Sequence, residues 1–524
     1  MHGWWRLALV AVVATSTLAE DAPTTVLKLD FEDPVAAKAL ADDITTTPQP
    51  GGGLALLGDS RQSNGQWNEY LRSKQGLLAA REAYVVSFDY RIIALDAGAE
   101  AYALFRRKSG RTQGWWTLAG KPGDTANIDM PLWTARDADW GLVLGLKNKG
   151  AVAIDNLTIV TDPANRVPEL TMPKPQRTWT SPGNTTYYVD SQAGDDARDG
   201  KSEAAAWKTL TKVNSGTFAP GDRILLRAGS SWTDYLAPAG RGAKGAHITI
   251  ESYGLGAKPR IDCAGAWQAS LYLQNVEYIS VRGLSIGNKG PKPVPNRTGV
   301  TVNLRDFGEA HEIILQNLDV TDVNGSNVKN DGGGTGISIS RGNSEGGLKS
   351  RYNSLEISGC HLLRCDRNGI GMGGYWSRQE WYPNLGVVIR GNRIEDFGGD
   401  GIVPVGCEGA LVERNTLHLG RQRCDDYAAG IWPWSCDSTV IQYNEVSGMK
   451  GTRDGQGFDS DWNCRNTLIQ YNYSHDNDGG FLLICNDGSS KMPWNNGNLG
   501  TVVRYNISQN DGERIFHFSG PVRD

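Results

Sequence analysis

The sequence lacks the features of a basic, helical or membrane-spanning protein. Its 524 residues carry a formal net charge of -5, so cations are not in excess. A nucleic-acid-binding protein needs a basic face, and we therefore exclude a nucleic-acid partner. Apolar residues seldom recur at helical spacing, and no apolar run, that of the N-terminal segment included, is long enough to cross a bilayer. We therefore expect an all-β chain with little helix and no membrane span.

Cysteine is sparse and unevenly placed. All eight cysteines lie between Cys263 and Cys485, and no CxxC or histidine-rich spacing accompanies them. Zinc sites need such spacings, so we predict no metal site from the cysteines. Two alternatives stay open: disulfides, such as Cys360 with Cys365 or Cys464 with Cys485, and buried free thiols.

The N-terminus reads MHGWWRLALVAVVATSTLAED, with a positive start, a short apolar run and small residues before an acidic stretch. This pattern is typical of a secretory signal over residues 1–19, cut after Ala19. The apolar run is too short to cross a bilayer. We therefore expect a secreted or periplasmic protein.

A chain of this length exceeds a single globular core, so we expect at least two domains. Residues 25–160 alternate strand-like runs such as AYVVSFDYRI and AVAIDNLTIV with Gly- and Asp-containing turns. This predicts a β-sandwich. The opening LDFED and closing AIDNLTI resemble the ends of jelly-roll modules attached to carbohydrate-active enzymes. Carbohydrate binding and a packing role are both open for this domain, and the candidate aromatic residues are Trp67, Tyr70, Trp115, Trp116 and Trp133.

A proline-rich stretch over residues 161–183 predicts an extended linker. After it, TYYVDSQAGDDARDGKSEAAAWKTLTKVN predicts a strand, a polar loop and a short helix from about Ala204 to Val213. This segment resembles the start of bacterial right-handed parallel β-helix proteins that act on polysaccharides, the pectate-lyase-like superfold. In that superfold a short helix covers the open end of the coil stack. The resemblance covers residues 185–524.

Repeats support a coil stack. Short strands such as VVIRGNRI, TVIQYNEV and TLIQYNYS recur at separations of a few tens of residues. Repeats of that length indicate stacked coils. The shared asparagine in the last five repeats predicts a buried ladder in which each amide bonds to the neighbouring coils. Its members are Asn392, Asn415, Asn444, Asn472 and Asn506.

Glycine-led strands follow the loops, and two of them, GIWPWS and GFDSDW, can be aligned. With Ile431 and Phe458 inward, alternation turns Trp432 and Trp434 outward on one strand and Asp459 and Asp461 outward on the next. The predicted outward rows are Val403–Trp432–Asp459–Leu482–Phe516 and Val405–Trp434–Asp461–Ile484–Phe518. Aspartate is disfavoured inside strands, which marks Asp459 and Asp461 as candidate catalytic residues.

Two carboxylates on alternate residues of one strand suit an inverting glycoside hydrolase. Their Cα atoms lie about 6.5–7 Å apart, near the ~6.5–9.5 Å that inverting enzymes leave for a water. Crowding raises one pKa and makes that group a general acid. Asp425, Asp426 and His475 are the other catalytic candidates, and the substrate-binding candidates are Trp432, Trp434, Asp400, Lys450, Arg453, Trp462 and Asp476.

A rival reaction is β-elimination on a uronate-containing glycan. Lyases of this superfold use lysine or arginine as the base, with calcium or arginine neutralising the carboxylate. Lys450 and Arg453 in GMKGTRDG are candidates for those roles. A third possibility is a non-catalytic glycan-binding β-helix, which replacement of both aspartates by asparagine would distinguish.

The sequence thus predicts an exported enzyme that cleaves glycosidic bonds of a polysaccharide, with a lyase and a pure binder as alternatives. The fold resemblance leaves the reaction open, because one fold hosts several functions. Hydrolysis needs no cofactor, whereas Ca²⁺ would serve a lyase. The final strand lies at the end of the printed sequence, so we expect a chain fragment or an end covered by another domain or chain.

Overall fold

The structure is a computed structural model that describes residues 22–108, 112–134, 138–167, 170–327, 329, 332–424, 426–485, 495 and 497–520. The predicted signal, residues 1–19, lies outside them. The chain divides into two compact units, Met1–Pro168 and Glu169–Asp524. No helix in the described ranges is long and apolar enough to cross a membrane.

The first unit is a sandwich of two antiparallel sheets around one apolar core that includes Phe88 and Trp140. Trp67 and Trp115 are exposed on the second sheet, so sugar binding by this unit remains a prediction. The first sheet contains Thr25–Leu29, Thr46–Pro48, Leu54–Asp59, Ala83–Leu95, Thr125–Trp133 and Gly150–Thr161; the second contains Trp67–Arg72, Glu100–Arg107, Thr112–Leu118 and Trp140–Lys147. A short helix spans Pro34–Ala37 and a 3-10 turn Pro163–Asn165.

The second unit is a parallel β-helix whose coils each contribute strands to three long sheets. Apolar side chains such as Ile337, Ile370, Ile402 and Ile431 stack inside it, all fully buried. The first sheet contains Thr186–Val189, Arg223–Arg227, Ile248–Tyr253, Ile279–Arg282, Glu309–Gln316, Arg351–Ser358, Asn384–Arg390, Cys407–Glu408, Leu411–Glu413, Val440–Gln442, Leu468–Gln470 and Val502–Arg504. The second contains Ser231–Trp232, Arg260–Asp262, Ser285–Asn288, Asp319–Val323, His361–Cys365, Arg393–Phe397, Thr416–His418, Glu445–Ser447, Tyr473–His475 and Ile507–Gln509.

The third sheet carries the candidate site. Single bridges at Ile431 join its two parts, because Ile431 pairs with Ile402 on one side and with Phe458 on the other. Its strands are Ala269–Gln274, Thr298–Arg305, Thr335–Gly342, Ile370–Met372 and Ile402–Val403, followed by Gln456–Ser460, Gly480–Cys485 and Phe516–Ser519. The predicted fold class, an all-β chain with a β-sandwich followed by a parallel β-helix, is confirmed.

The β-helix begins earlier in the chain than predicted. Trp179–Thr180, within the predicted linker, pairs with Gly216–Phe218, which in turn pairs with Ala239–Gly240. The predicted helix is split into a 3-10 turn, Glu203–Ala205, and a helix, Leu210–Asn214. Trp207 forms a bridge with Val189 between these two pieces, which takes its backbone out of helical geometry.

The predicted asparagine ladder is confirmed. The backbone N–H and side-chain amide of Asn415 both donate to Asn444 Oδ1, at 3.0 and 2.9 Å. Asn444 repeats this pattern with Asn472 in the next coil, and Asn392 repeats it with Asn415 in the coil before. The second amide hydrogen reaches a strand carbonyl, as Asn444 does with Val412 O at 3.0 Å.

The predicted outward rows are correct up to the aspartates and wrong beyond them. Ile431 pairs with Phe458 as predicted, but Leu482 and Phe516 continue the row of Phe458. Asp459 therefore pairs with Leu483, a slip of one residue. The cause is Gly480, which occupies the position of Gln456 with a φ of 117°, so the two glycine-led segments are not equivalent.

The described cysteines are all free, and all except Cys485 are buried. Three of them, Cys407, Cys436 and Cys464, lie in successive coils, and the Cys407 N–H donates to Cys436 Sγ at 3.4 Å. The alternative of buried thiols between coils therefore describes this structure, and the two candidate disulfides are not formed.

Candidate active site

Asp459 and Asp461 lie at the outer face of the third sheet, next to Trp432 and Trp434 of the preceding coil. The Asp459 N–H donates to Ile431 O at 3.1 Å, and the Asp461 N–H donates to Pro433 O at 3.3 Å. Alternation along the strand places both carboxylates on the face opposite the buried Phe458. Asp459 is only 3% exposed, whereas Asp461 is half-buried.

The two carboxyl groups hold protons to different extents. Burial raises the pKa of Asp459 well above its usual range, and the charge of Asp461 adds to this effect. Burial also raises the pKa of Asp461, to about 6, although the Trp462 N–H donates to its Oδ1 at 2.7 Å and favours the ionised form. Burial therefore favours the neutral form more strongly in Asp459 than in Asp461, so Asp461 is the member of the pair that ionises more readily.

Asp454 is a third member of this carboxylate cluster. It precedes the strand of Asp459 and forms a bridge with Ala428 of the preceding coil. Burial raises its pKa, while the charge of Lys329 opposes that change. It is half-buried and therefore more open than Asp459. Asp454 was not among the residues predicted for the site from sequence.

Asp400 is held inside an ion network and is not open to solvent. Its Oδ1 accepts hydrogen bonds from the Trp432 indole at 3.0 Å and from the Ala429 N–H at 3.1 Å. Its Oδ2 lies 3.4 Å from Arg367 Nη2 and 3.6 Å from Lys329 Nζ. Asp400 therefore supports the wall of the site, and a direct contact with substrate, as predicted, does not fit its burial.

Asp426 extends this network. Its Oδ1 accepts a hydrogen bond from Arg367 Nη2 at 2.8 Å, and its Oδ2 accepts the Lys329 N–H at 2.6 Å. Asp426 thus anchors Lys329 beside the carboxylate cluster, where the ammonium group also lies 4.9 Å from the Trp432 ring centroid. The adjacent residue Asp425, which was also predicted to be catalytic, lies outside the described residues.

The two outward tryptophans predicted to bind substrate, each as an open platform for a sugar ring, differ. Trp432 is 7% exposed, since Lys329 covers its ring and Asp400 binds its indole nitrogen. The prediction of an open platform is therefore wrong for Trp432. Trp434 is half-buried and stacks on Trp376, with ring centroids 5.2 Å apart and an interplanar angle of 14°. The exposed partner in this stack is Trp376.

Two of the remaining predicted residues, His475 and Asp476, lie away from the carboxylate cluster. His475 belongs to the second sheet, where it contacts Glu445 at 3.3 Å and Asp476 at 2.7 Å. The structure therefore does not bring His475 and Asp476 to the aspartates, because the turn from the second to the third sheet separates them. Lys450 and Arg453 are exposed loop residues. Trp462 is half-buried, and its indole donates to Cys485 Sγ at 2.9 Å, in the coil after Asp461.

Sequence reasoning missed Arg367 and Lys329. Arg367 has a side chain only 3% exposed, packed so closely that a Cβ at Gly399 would lie 1.2 Å from its Nη1. The resemblance between CDRNGI and the later GGDGI segment was the available signal for Arg367. Lys329 belongs to a long loop without a repeat, and no sequence signal placed it near Trp432.

Comparison with known proteins agrees with this architecture. A family model described as the right handed beta helix region matches residues 346–498. A lacto-N-biosidase of Bifidobacterium longum is 31% identical over 445 residues, which cover 66% of this chain and 27% of that protein. An alpha-1,3-galactosidase A of Akkermansia muciniphila is 29% identical over 105 residues, 20% of this chain and 17% of that protein.

A solved structure shares the fold at similar identity. The crystal structure of a GH136 lacto-N-biosidase from Eubacterium ramulus is 31% identical, with a TM-score of 0.55 over 62% of this chain and 60% of that chain. The present chain thus spans about a quarter of the curated lacto-N-biosidase and three fifths of the crystallised one. The resemblance to right-handed parallel β-helix proteins that act on carbohydrates is confirmed.

Proposed function

We propose that the chain is a glycoside hydrolase that acts on a glycan after export and needs no cofactor. The observation that carries this proposal is the carboxylate cluster, in which neighbouring aspartates on an outer sheet face hold protons to different extents. Two titratable groups whose pKa values are pushed apart supply an acid and a base at one pH. The similarity to lacto-N-biosidases makes a lacto-N-bioside the first substrate to test.

In the proposed reaction Asp461 is the ionised group and Asp459 is the neutral one. Asp459 would donate its proton to the leaving oxygen, and Asp461 would accept a proton from the attacking water. Their spacing on one strand, about 6.5–7 Å between Cα atoms, is near the ~6.5–9.5 Å of inverting enzymes. Asp454 is a second candidate for the proton donor, since its pKa is raised and it is more open than Asp459.

The residues around this pair support the assignment. Lys329 and Arg367 are cations, but both are ion-paired with Asp400 or Asp426, so neither is free to neutralise a uronate. This favours hydrolysis over elimination. The exposed Trp376, stacked on Trp434, offers an aromatic face to a sugar ring beside Asp461.

The deciding experiment is digestion of a glycan panel that includes a lacto-N-bioside, an α-1,3-galactoside and a uronate-containing polysaccharide. We expect new reducing ends without the ultraviolet absorbance of an unsaturated uronate, and with no effect of a chelator. Rising absorbance would instead show elimination, and loss of activity on chelation would point to calcium.

Stereochemistry and three variants test the roles. NMR of the first product anomer should show inversion, whereas retention would make Asp461 the nucleophile. Among Asp454→Asn, Asp459→Asn and Asp461→Asn, the donor is the residue whose replacement slows substrates with poor leaving groups far more than those with good ones. Glycan binding without turnover by the unaltered chain would instead indicate a non-catalytic binding protein.

A further inference from the structure

A second polar depression lies on the same outer face, several coils before the carboxylate cluster. We call it the upstream cleft; it has a volume of about 200 Å³, and Lys329, Ser338, Ser340, Asn368, Gly371 and Gly373 contribute to its lining. The inward neighbours Ile339 and Met372 belong to the core, so the floor is the outer face of the third sheet.

Strand register explains why the cleft is there. Ser338 pairs with Gly371, Gly371 pairs with Val403, and the same row continues to Trp432 and Asp459. The parallel row two residues on contains Ser340, Gly373 and, further along, Asp461. The cleft is therefore the place where both outward rows of the site carry glycine and leave the sheet without side chains.

Unused hydrogen-bonding groups face this depression. Among the described residues the Ser338 hydroxyl has no hydrogen-bond partner, and the Asn368 amide accepts from the Asp400 N–H at 3.2 Å while its Nδ2 donates to none. A Cβ added at Gly371 would lie 3.6 Å from that Nδ2, which places the free donor over the glycine floor. A pocket with a few convergent polar groups is the usual form of a small-ligand site.

The charges at its edge are already neutralised. Lys329 is paired with Asp400, and Arg367 with Asp426 and Asp400. An anionic ligand would have to compete with those carboxylates. Hydroxyl and amide donors next to a bare backbone floor suit a neutral sugar ring, which has hydroxyl groups at its edge and needs space for its face.

Lys329 links the cleft to the carboxylate cluster. It borders the cleft and also covers Trp432, whose neighbour in the next coil is Asp459. Along this row three coil spacings separate Gly371 from Asp459, about 14 Å at the usual strand separation. A single sugar ring does not cover that distance, so a ligand that occupies both places is an extended oligosaccharide.

We propose that the upstream cleft is an outer subsite that binds a neutral sugar residue of an extended glycan, and that this residue lies beyond the sugars flanking the cleaved bond. The link to cleavage rests on the proposed hydrolase function. The binding itself does not, because the cleft and its free polar groups exist whatever the carboxylates do.

Gly373→Val tests the proposal with little risk to the fold. A Cβ at Gly373 has nothing within 4 Å, and its φ lies outside the left-handed region, so the side chain of valine begins in open space within the cleft. The control is Gly342→Val on the neighbouring strand, which also has nothing within 4 Å and lies outside the cleft. Ser338→Ala is the second variant, removing only the free hydroxyl.

The measurement is calorimetric binding of short and long neutral oligosaccharides to chains that also carry Asp461→Asn, with turnover followed in chains that do not. We expect Gly373→Val to weaken binding of the long ligand about tenfold and Ser338→Ala about threefold, with the shortest ligand unaffected. Gly342→Val should bind both ligands as the parent does. In turnover, the same variants should raise KM for long substrates and leave kcat unchanged.

Each result bears on the two proposals separately. Equal binding of long ligand by Gly373→Val, Ser338→Ala and the parent would overturn the outer subsite, even if the chain cleaves glycans. Equal weakening of short and long ligands would also overturn it, because the cleft would then be part of the cleavage site. Length-dependent weakening without any turnover would support the subsite and reject the hydrolase.

Discussion

Two groups of polar residues in the β-helix are built in opposite ways: the asparagine ladder runs through successive coils, whereas the carboxylate cluster lies on one coil. In the asparagine ladder every amide of Asn415, Asn444 and Asn472 is bonded to the coils on both sides. In the carboxylate cluster, Asp459 Oδ1 is buried without a hydrogen-bond partner among the described residues. A satisfied buried network stabilises a fold, whereas an unsatisfied one costs free energy and is kept where it serves another purpose.

The comparison separates residues kept for stability from residues kept for chemistry. Ladder members are neutral and lie at one repeated corner of the coil. Cluster members are ionisable and carry raised pKa values. Perturbed pKa values of this kind gather at functional sites. The predictions below test whether the ladder and the cluster respond to substitution in opposite directions.

The largest effect is expected from Asp461→Asn. Loss of the ionised group should lower kcat by about 10²–10⁴-fold, the usual contribution of a general base, while the far-ultraviolet spectrum stays unchanged. The measurement is steady-state hydrolysis of the best substrate found in the panel. Asp426→Asn, a matched control in the ion network, should lower kcat much less. If Asp461→Asn keeps most of its activity, the cluster is not the site of catalysis.

Asn444→Ala should produce the largest loss of stability. It removes an amide that is 2% exposed and leaves the Val412 carbonyl and the Asn415 donors without partners. Buried groups left unmet cost roughly 1–3 kcal/mol each, so the free energy of unfolding should fall by about 2–4 kcal/mol. Urea unfolding measures this, and activity per folded molecule should not change.

Asn506→Ala provides the comparison within the ladder. Asn506 is half-buried, since it lies in the last described coil. Water can hydrate the polar groups that Asn506→Ala leaves without partners. The free energy of unfolding should therefore fall by less than for Asn444→Ala. Equal losses at both positions would show that the ladder acts through something other than burial.

The cluster should respond in the opposite direction, so Asp461→Asn should stabilise the fold at neutral pH. The folded-state pKa of about 6 lies above the ordinary 3.8, so the folded state retains this proton longer. The stabilisation of the folded state by this proton is fully present below the ordinary pKa, and it is lost as pH rises through about 6. Removing the carboxylate should add about 1–3 kcal/mol to the free energy of unfolding near pH 7, because one pKa unit is worth 1.36 kcal/mol.

The check is urea unfolding of both chains across this pH range. The unaltered chain should lose stability between about pH 4 and pH 7 relative to Asp461→Asn. Asp454 and Asp459 have pKa values raised in the same direction and should leave a residual slope in the variant. Parallel stability profiles for the two chains would mean that Asp461 has an ordinary pKa.

The ladder was predictable from sequence and most of the cluster was not, for a physical reason. A fixed period with the same residue at one corner states directly that Asn392 to Asn506 share a row. The same reasoning aligned Ile431 with Phe458 and placed Asp459 beside Trp432. The alignment failed at Gly480, because this glycine, which begins its strand with a φ of 117°, was taken as equivalent to Gly457 inside the preceding strand.

The repeat pattern could not predict the contacts that loop residues make. Lys329 reaches Trp432 through a long segment without a repeat, and Arg367 pairs with Asp426 across 59 residues. His475 appeared close to the aspartates in sequence but belongs to another sheet. Repeats predict which residues share a row, whereas the side chains that cover that row depend on loop conformations that no period encodes.

The smallest effect is expected at Lys329, the cation beside the carboxylate cluster. Its charge lowers the pKa of Asp461, so Lys329→Met should raise that pKa and shift the acidic limb of kcat/KM to higher pH. A shift of about half to one pH unit is expected for a partly screened charge. Lys329→Arg keeps the charge and should leave the limb near its original pH. A merely structural role would lower activity in both variants without moving the limb, and it would show that burial alone sets the protonation of Asp461.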